Sequence, residues 1–433
     1  MNPQIRRRHF LSMVGVGALG TTALAACSDD GGAGEEAPEG PVELRMTVWT
    51  ASEDHLGLFQ EIADAYVADH PDEVSAVTFE TIPFDGYTTS LTTQLAGGNP
   101  PDLAWIFESN APEFVQSGAL VDVRETLSST EGYDFEDVGE TALELWQDGD
   151  ALYAYPFSNS PFVMFVNTDR IAGSGQPNPA DLVASDGWTY DAARDISAAS
   201  AAALGGAGLV VRDFDYMNWT NLATVWGGWD AEPWSADGAT SEFDSPEMVD
   251  ALEWFHDAIF TQNAIPGPGT SADFFAGDTT MTITQISRAS SLDGSFAWDI
   301  VPLPAGPTQQ QNIVGQAGVG VLAAGKNPQA AANFLAYFTN PENSASLSLY
   351  FPPPRESLLN PETLAAGNPV FSEPQLGIVI DSISGATTKP SHANFAQVDT
   401  TARGALDAMW TPDADVAAVA ADVSEAIQPL LEA

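Results

Sequence analysis

Val42-Glu43-Leu44-Arg45-Met46-Thr47-Val48-Trp49 sets Val42, Leu44, Met46 and Val48 against Glu43, Arg45 and Thr47. That two-residue period is the pattern of a strand with one face toward a core. The polar loop Thr50-Ala51-Ser52-Glu53-Asp54 leads into a predicted helix, where Leu56, Phe59, Ile62, Ala63, Tyr66 and Val67 form one stripe until His70-Pro71 stops it. A second strand is expected around Val74 to Ile82 and a second helix near Thr88 to Ala96. Gly97-Gly98-Asn99-Pro100-Pro101 breaks that helix, and Asp102-Leu103-Ala104-Trp105-Ile106-Phe107 reads as a short buried strand. Strand, helix, strand, helix, strand implies parallel pairing through right-handed crossovers, an α/β lobe.

Toward the C-terminus the pattern supports a second lobe, because the roughly 390 residues from Val42 onward exceed the usual size of one core. Ser245-Pro246-Glu247 is a capped helix start, with Met248, Leu252, Phe255 and Ile259 as its buried stripe. Asn327-Pro328 starts another helix with Ala331, Leu335 and Phe338 inward, and Asn340-Pro341 ends it. Val416, Val419, Val423, Ile427 and Leu430 mark a C-terminal amphipathic helix.

Toward the N-terminus the chain carries an address. Arg6, Arg7 and Arg8 precede an apolar stretch from Phe10 to Ala26, and small residues lead to Cys27, the single cysteine. This reads as an export signal over residues 1–26, too short and too rich in Gly and Thr for a membrane span. Leu24-Ala25-Ala26-Cys27 resembles the bacterial lipobox, in which the cysteine is lipidated. Arg7-Arg8-His9-Phe10-Leu11 resembles the twin-arginine motif, with Arg6 where Ser or Thr is usual. The competing readings are an ordinary signal with an incidental cysteine and the general secretory route. Residues 27–41 are small, acidic and turn-forming, a tether that cannot bury enough apolar surface to fold.

Sixty acidic residues face 13 basic ones, a net charge of −47 that becomes −50 once the three signal arginines leave. Such a surface excludes nucleic acid as a partner. A single cysteine excludes intramolecular disulfides and thiolate metal sites. No G-x-S-x-G elbow, H-E-x-x-H helix or P-loop occurs.

Further landmarks then fall in a particular order. Thr47-Val48-Trp49 is followed by Leu95 to Leu103, Gln116-Ser117-Gly118-Ala119-Leu120, Tyr155-Pro156-Phe157 and Phe165-Val166-Asn167-Thr168-Asp169. Gly187-Trp188-Thr189-Tyr190, Trp226-Gly227-Gly228, Phe275-Ala276-Gly277-Asp278, Met281-Thr282-Ile283 and Gly318-Val319-Gly320-Val321-Leu322 continue the series. In this order the chain resembles the family 1 extracellular solute-binding proteins of ABC importers, the group that includes maltose-binding protein, over nearly all of residues 42–433. The resemblance implies an α/β, two-lobed fold of the periplasmic-binding-protein type, with a hinge and an interlobe ligand cleft. It places lobe 1 at residues 42–156 and 299–340 and lobe 2 at 157–298 and 341–433. It also implies a monomer on the outer face of the cytoplasmic membrane, anchored by lipid at Cys27. There it would deliver a mono- or oligosaccharide to ABC permease subunits, with no cofactor, no metal and no catalysis.

Sugars are held by aromatic rings against their C–H faces and by polar side chains around their hydroxyls. In open α/β sheets those groups lie on loops leaving the carboxyl ends of strands. Trp49, Glu53 and Asp54 lie on such a loop, the two acids being either hydroxyl acceptors or solvated charges at a helix start. Glu108, Ser109 and Asn110 leave the third strand in the same way. Ser158-Asn159-Ser160 matches a polar segment that faces the cleft in the family. Asp215, Tyr216, Asn218 and Trp219 precede Trp226-Gly227-Gly228-Trp229, where the glycines permit close approach and the indoles are either stacking platforms or core. Ser287 and Arg288 stand where many relatives have a stacking tryptophan, a departure that weakens the case for maltodextrins and favours hydrogen bonding by a guanidinium. Arg355, His392 and Asn394 complete the candidate set. The alternatives are a lipid-anchored glycoside hydrolase, which needs two suitably spaced carboxylates, a receptor for a non-sugar solute, and an adhesin or scaffold.

Overall fold

In a computed structural model of the chain, residues 40–212, 216, 218–270 and 272–432 are described. The expected signal, Cys27 and all of the tether but Gly40 and Pro41 lie outside these residues. Within them no helix is long and apolar enough to cross a membrane.

β1 (Val42–Val48), β2 (Val74–Thr81) and β3 (Leu103–Phe107) pair in parallel, in the order β2-β1-β3. The helix Glu53–Asp69 joins the first two strands. Ser52 caps it by accepting from the His55 amide, and Phe59, Ile62, Ala63 and Tyr66 are its buried stripe. The helix Tyr87–Ala96 makes the next crossover. The Pro-Pro-Asp turn before β3 has a structural use: Asp102 is buried, and its carboxylate accepts from the amides of Arg45 and Asn327. It thereby ties β1 to the start of the helix Pro328–Phe338. Alternation undercounts β1, because Thr47 on the face read as polar is fully buried and bonds the Tyr87 hydroxyl at 2.9 Å.

A hairpin of β4 (Gln147–Asp148) and β5 (Ala151–Leu152) precedes β6 (Ala154–Asn167). β6 serves both lobes. Its first half pairs antiparallel with β10 (Ile313–Val321), and its second half lies between β8 (Thr279–Gln285) and β9 (Trp298–Val301). β7 (Ala207–Val211) adds to β8 in parallel, and the two-residue β11 (Thr387–Thr388) adds to the start of β10. The result is one continuous sheet shared between two hydrophobic bodies. Lobe 1 packs around Met46, Phe59, Trp105, Val319 and Leu335. Lobe 2 has a large core on one face of its sheet, including Met164, Leu209, Phe255, Ile283 and Val423. A smaller core on the other face includes Val163, Phe165, Ile300, Leu376 and Val379. The alternation of β6 from Phe162 onward assigns successive residues to these two cores.

The crossing at Pro156-Phe157 coincides with a register shift in the β6–β10 ladder. Two other expected crossings come later than the sequence suggested. Asp299 to Val301 stays in lobe 2, where β9 pairs with β6, and the return runs through β10. The helix Pro341–Leu347 belongs to lobe 1, with Leu347 in its core. Strand ladders and core membership decide where a chain changes lobe, whereas prolines mark only the ends of elements.

Candidate ligand-binding cleft

The carboxyl ends of the parallel strands in the two lobes converge on the crossing segment, the place where open α/β sheets bind ligands. From lobe 1 come Trp49 after β1 and Glu108-Ser109-Asn110 after β3. From lobe 2 come Arg212 after β7 and Gln285 at the end of β8.

Trp49 is half-buried, its indole stacked on Phe107 with ring centroids 4.2 Å apart and edge-on to Trp105 and Tyr87. Glu53 and Asp54 are exposed in the first helical turn, where their charges favour the positive end of the helix. Nearby, Thr50 Oγ1 bonds His55 Nδ1 at 2.9 Å, and burial lowers the His55 pKa.

Glu108 is buried and forms an ion pair with Lys389 at 3.0 Å. Lys389 follows β11 on the lobe 2 side, so this contact spans the two lobes. The helix Phe395–Leu406, which packs into the lobe 2 core, also lies against the Glu108–Asn110 turn. The lobes are thus in contact over the cleft. Asn110 is buried and accepts from Thr88 Oγ1 at 3.1 Å, and Ser109 is half-buried.

At the base of the cleft the chain separates neighbouring residues. Ser160 lies opposite Gly315 in the ladder, on the face that carries Phe162. A side chain at Gly315 would collide with the Gln285 amide and meet the Phe162 ring. Arg212 donates to Gln285 Oε1, and the Arg212 carbonyl accepts from Asn221 Nδ2 at 2.8 Å. Ser160 is 6% exposed, and its hydroxyl makes no hydrogen bond. Buried polar atoms are nearly always paired, so this unpaired hydroxyl, across the ladder from the Gly315 position that the Gln285 amide crowds, is a position for a ligand oxygen or water. Asn159 points to the opposite face, where its Oδ1 accepts from Gln316. The expectation that Asn159 and Ser160 serve one cleft is therefore corrected. Ser158 is half-buried beside them.

Several candidates turn out to be structural. Trp219 and Trp226 are buried in the large core of lobe 2, 6.0 Å apart and both against Phe243. The Trp219 indole donates to Asp399 at 2.9 Å, and burial raises the pKa of that carboxyl. Trp229 packs against Tyr190 and Trp254. These indoles are core, not stacking platforms. The glycines do permit close approach, but to the chain itself: Gln311 covers Gly227, and Gly306 with Tyr190 covers Gly228. Arg355 is fully buried in lobe 1, donating to the carbonyls of Tyr133, Asp134 and Thr339. It also lies 3.6 Å from Asp137. It is an internal strut, because those carbonyls and one carboxylate already use its planar donor fork.

Tyr216 holds a left-handed backbone, φ 67°, and donates its hydroxyl to the Pro266 carbonyl. Asn218 is exposed, and Asp215 lies outside the described residues. Ser287 is exposed, while Arg288 covers the Phe275 ring of its own lobe at 5.0 Å. His392 bonds the Gly238 carbonyl and Asn394 the Leu430 carbonyl, both within lobe 2. The reading of the sequence missed Lys389, Gln285 and Arg212. The one signal available for Lys389 was its rarity, as one of two lysines in an acidic chain. Among the described residues no group of three or more His, Cys, Asp or Glu side chains could hold a metal ion.

The chain belongs to the bacterial extracellular solute-binding proteins, whose family model matches residues 61–370. It is a binding protein, not an enzyme, and its family acts outside the cytoplasm. A binding protein of Brucella abortus (strain 2308) is 26% identical over 316 residues, covering 69% of each chain. Among solved structures, the cyclic alpha-maltosyl-1,6-maltose binding protein from Arthrobacter globiformis superposes with a TM-score of 0.76 at 18% identity, covering 91% of this chain and all of that one. The ABC substrate-binding protein Lmo0181 from Listeria monocytogenes, in complex with cycloalternan, gives 0.76 at 20% identity over 90% and 99%. Both solved structures share the two-lobed fold of this chain.

Proposed function

We propose that this protein is the substrate-binding lipoprotein of an ABC importer, capturing a carbohydrate between its lobes and handing it to a membrane permease. The observation that carries the reading is the buried, unpaired Ser160 hydroxyl, across the ladder from the position crowded by the Gln285 amide, at the meeting point of strand ends from both lobes. The hydroxyl can both donate and accept, a chemistry suited to sugar hydroxyls. Similar folds that bind cyclic maltosyl-maltose and cycloalternan support the same ligand class. Arg288 engages Phe275, so selectivity here rests on hydrogen bonds at the base of the cleft rather than on a platform at that position. Binding favours the closed form because the sugar contacts both lobes only there. Export by the amino-terminal signal and lipidation at Cys27 would keep the receptor beside its permease.

Calorimetry and thermal shift over mono- and oligosaccharides test this. A saturable sugar complex weakened about tenfold by Ser160→Ala, the effect of roughly one lost hydrogen bond, is the expected result. Binding only of a non-sugar solute, or equal affinity in the variant, would overturn it. Cys27→Ser should release a ligand-competent protein into the medium, and a variant that stays membrane-bound refutes the anchor alone.

A further inference from the structure

On the face of the crossing strands opposite Ser160, a cavity of about 640 Å³ lies between the lobes. Lobe 1 lines it with Val138, Gly139 and Pro354, among others, and lobe 2 with Ile380, Ile383 and Ser384. Its inner wall includes Asn159 and Gln316.

A sequence of obligate donors determines what that wall presents. The Trp146 indole nitrogen can only donate, and it does so to Gln316 Oε1 at 3.0 Å. Gln316 Nε2 must then be the donor toward Asn159 Oδ1, at 2.6 Å, and toward the Ala142 carbonyl, at 3.3 Å. Asn159 is left with Nδ2 turned away from Gln316. That atom makes no hydrogen bond, in a residue only 2% exposed. Flipping the Asn159 amide would set two NH₂ groups against each other, so the network holds the donor in place. Three acidic residues, Glu136, Glu140 and Glu356, also line the cavity, and no Lys, Arg or His does.

We infer that this cavity is a second ligand site, for a compact organic cation that also carries a neutral hydroxyl or carbonyl oxygen. An amino alcohol is the simplest such molecule. Its oxygen accepts from Asn159 Nδ2, where a buried donor otherwise stays unpaired. Its ammonium faces the three carboxylates through charge-assisted contacts. A ligand bearing a carboxylate is disfavoured by the same acids. Because Asn159 and Ser160 face opposite sides of the strand, this site does not depend on what fills the front cleft.

Diethanolamine and diethylene glycol separate the contributions, since they share shape and hydroxyls and differ in the central ammonium. Calorimetry on the full chain should show saturable one-to-one binding of diethanolamine and none of diethylene glycol. Glu140→Gln/Glu356→Gln, at exposed positions that do not threaten folding, should weaken binding at least tenfold, and Asn159→Leu should weaken it likewise. The exposed pair Glu61→Gln/Asp64→Asn on the outer helix should leave it unchanged. Equal weakening by that control pair would mean diffuse attraction to an acidic surface. That result, or no saturable binding by the unmodified protein, overturns the inference.

Discussion

Replacing Lys389 with alanine removes one partner of the contact that spans the lobes. At 3.0 Å and an effective dielectric of about 20, the gross attraction between Lys389 and Glu108 is about 5 kcal/mol. Desolvation and side-chain ordering offset most of it. The side chains keep 22% and 11% of their exposure, so the net value sits above a surface pair, at about 1–2 kcal/mol. That energy exists only while the lobes touch, so it adds to the closed state and not to the open one. Losing about 1.4 kcal/mol lowers the closed-to-open ratio about tenfold. A ligand that needs the closed form then binds about tenfold more weakly. Small-angle scattering of the ligand-free protein reads closure directly, and calorimetry with a saccharide from the screen reads affinity. Glu108→Gln completes a double-mutant cycle, with an expected coupling of about 1 kcal/mol that shrinks as salt is raised. Additivity within about 0.3 kcal/mol, or unchanged affinity and dimensions in Lys389→Ala, would refute the reasoning.

Trp226→Ala should cost about 3–5 kcal/mol in chemical denaturation, with ligand affinity of the folded fraction retained, because the indole fills the lobe 2 core. Arg355→Met should cost about 3–5 kcal/mol by the same assay, since carbonyls and the Asp137 carboxylate lose a buried partner, and binding by the folded protein should again persist. Glu232 has its pKa pushed up to about 7 by burial, with Asp230 and Glu242 adding repulsion against a hydrogen bond from Gln311. A raised folded-state pKa means stability is lost as pH rises through about 7, so Glu232→Gln should stabilise the protein at pH 8 and not at pH 4. Although protein atoms surround its carboxyl, much of the residue's own surface stays open to solvent, and that screening reduces the expected gain to about 1 kcal/mol in pH-dependent melting.

The first lobe was legible because its signals are local. The alternation of Val42 to Val48, the stripe from Phe59 to Tyr66 and the Gly-Gly-Asn-Pro-Pro break each report on residues within a turn or two. The lobe boundaries were less legible. Asp299 to Val301 ends in Pro302-Leu303-Pro304, yet a ladder to β6 holds it in lobe 2. The indoles were legible only as a choice between core and platform, since Trp219 is placed by Phe243 and Asp399. Arg355 is likewise defined by carbonyls more than 200 positions earlier in the chain.

Composition and short-range periodicity therefore determined the α/β class, the presence of two lobes and the strand ends at which a ligand should be sought. Which side chains reach that place was decided by tertiary structure. Strand alternation sends Ser160 to the front of the hinge and Asn159 to the back, and lobe contact pairs Glu108 with Lys389. Packing draws Trp226 and Arg355 inside. Local signals record what the backbone does over a few residues, whereas burial and hydrogen-bond satisfaction are settled by segments that meet only after the chain has folded.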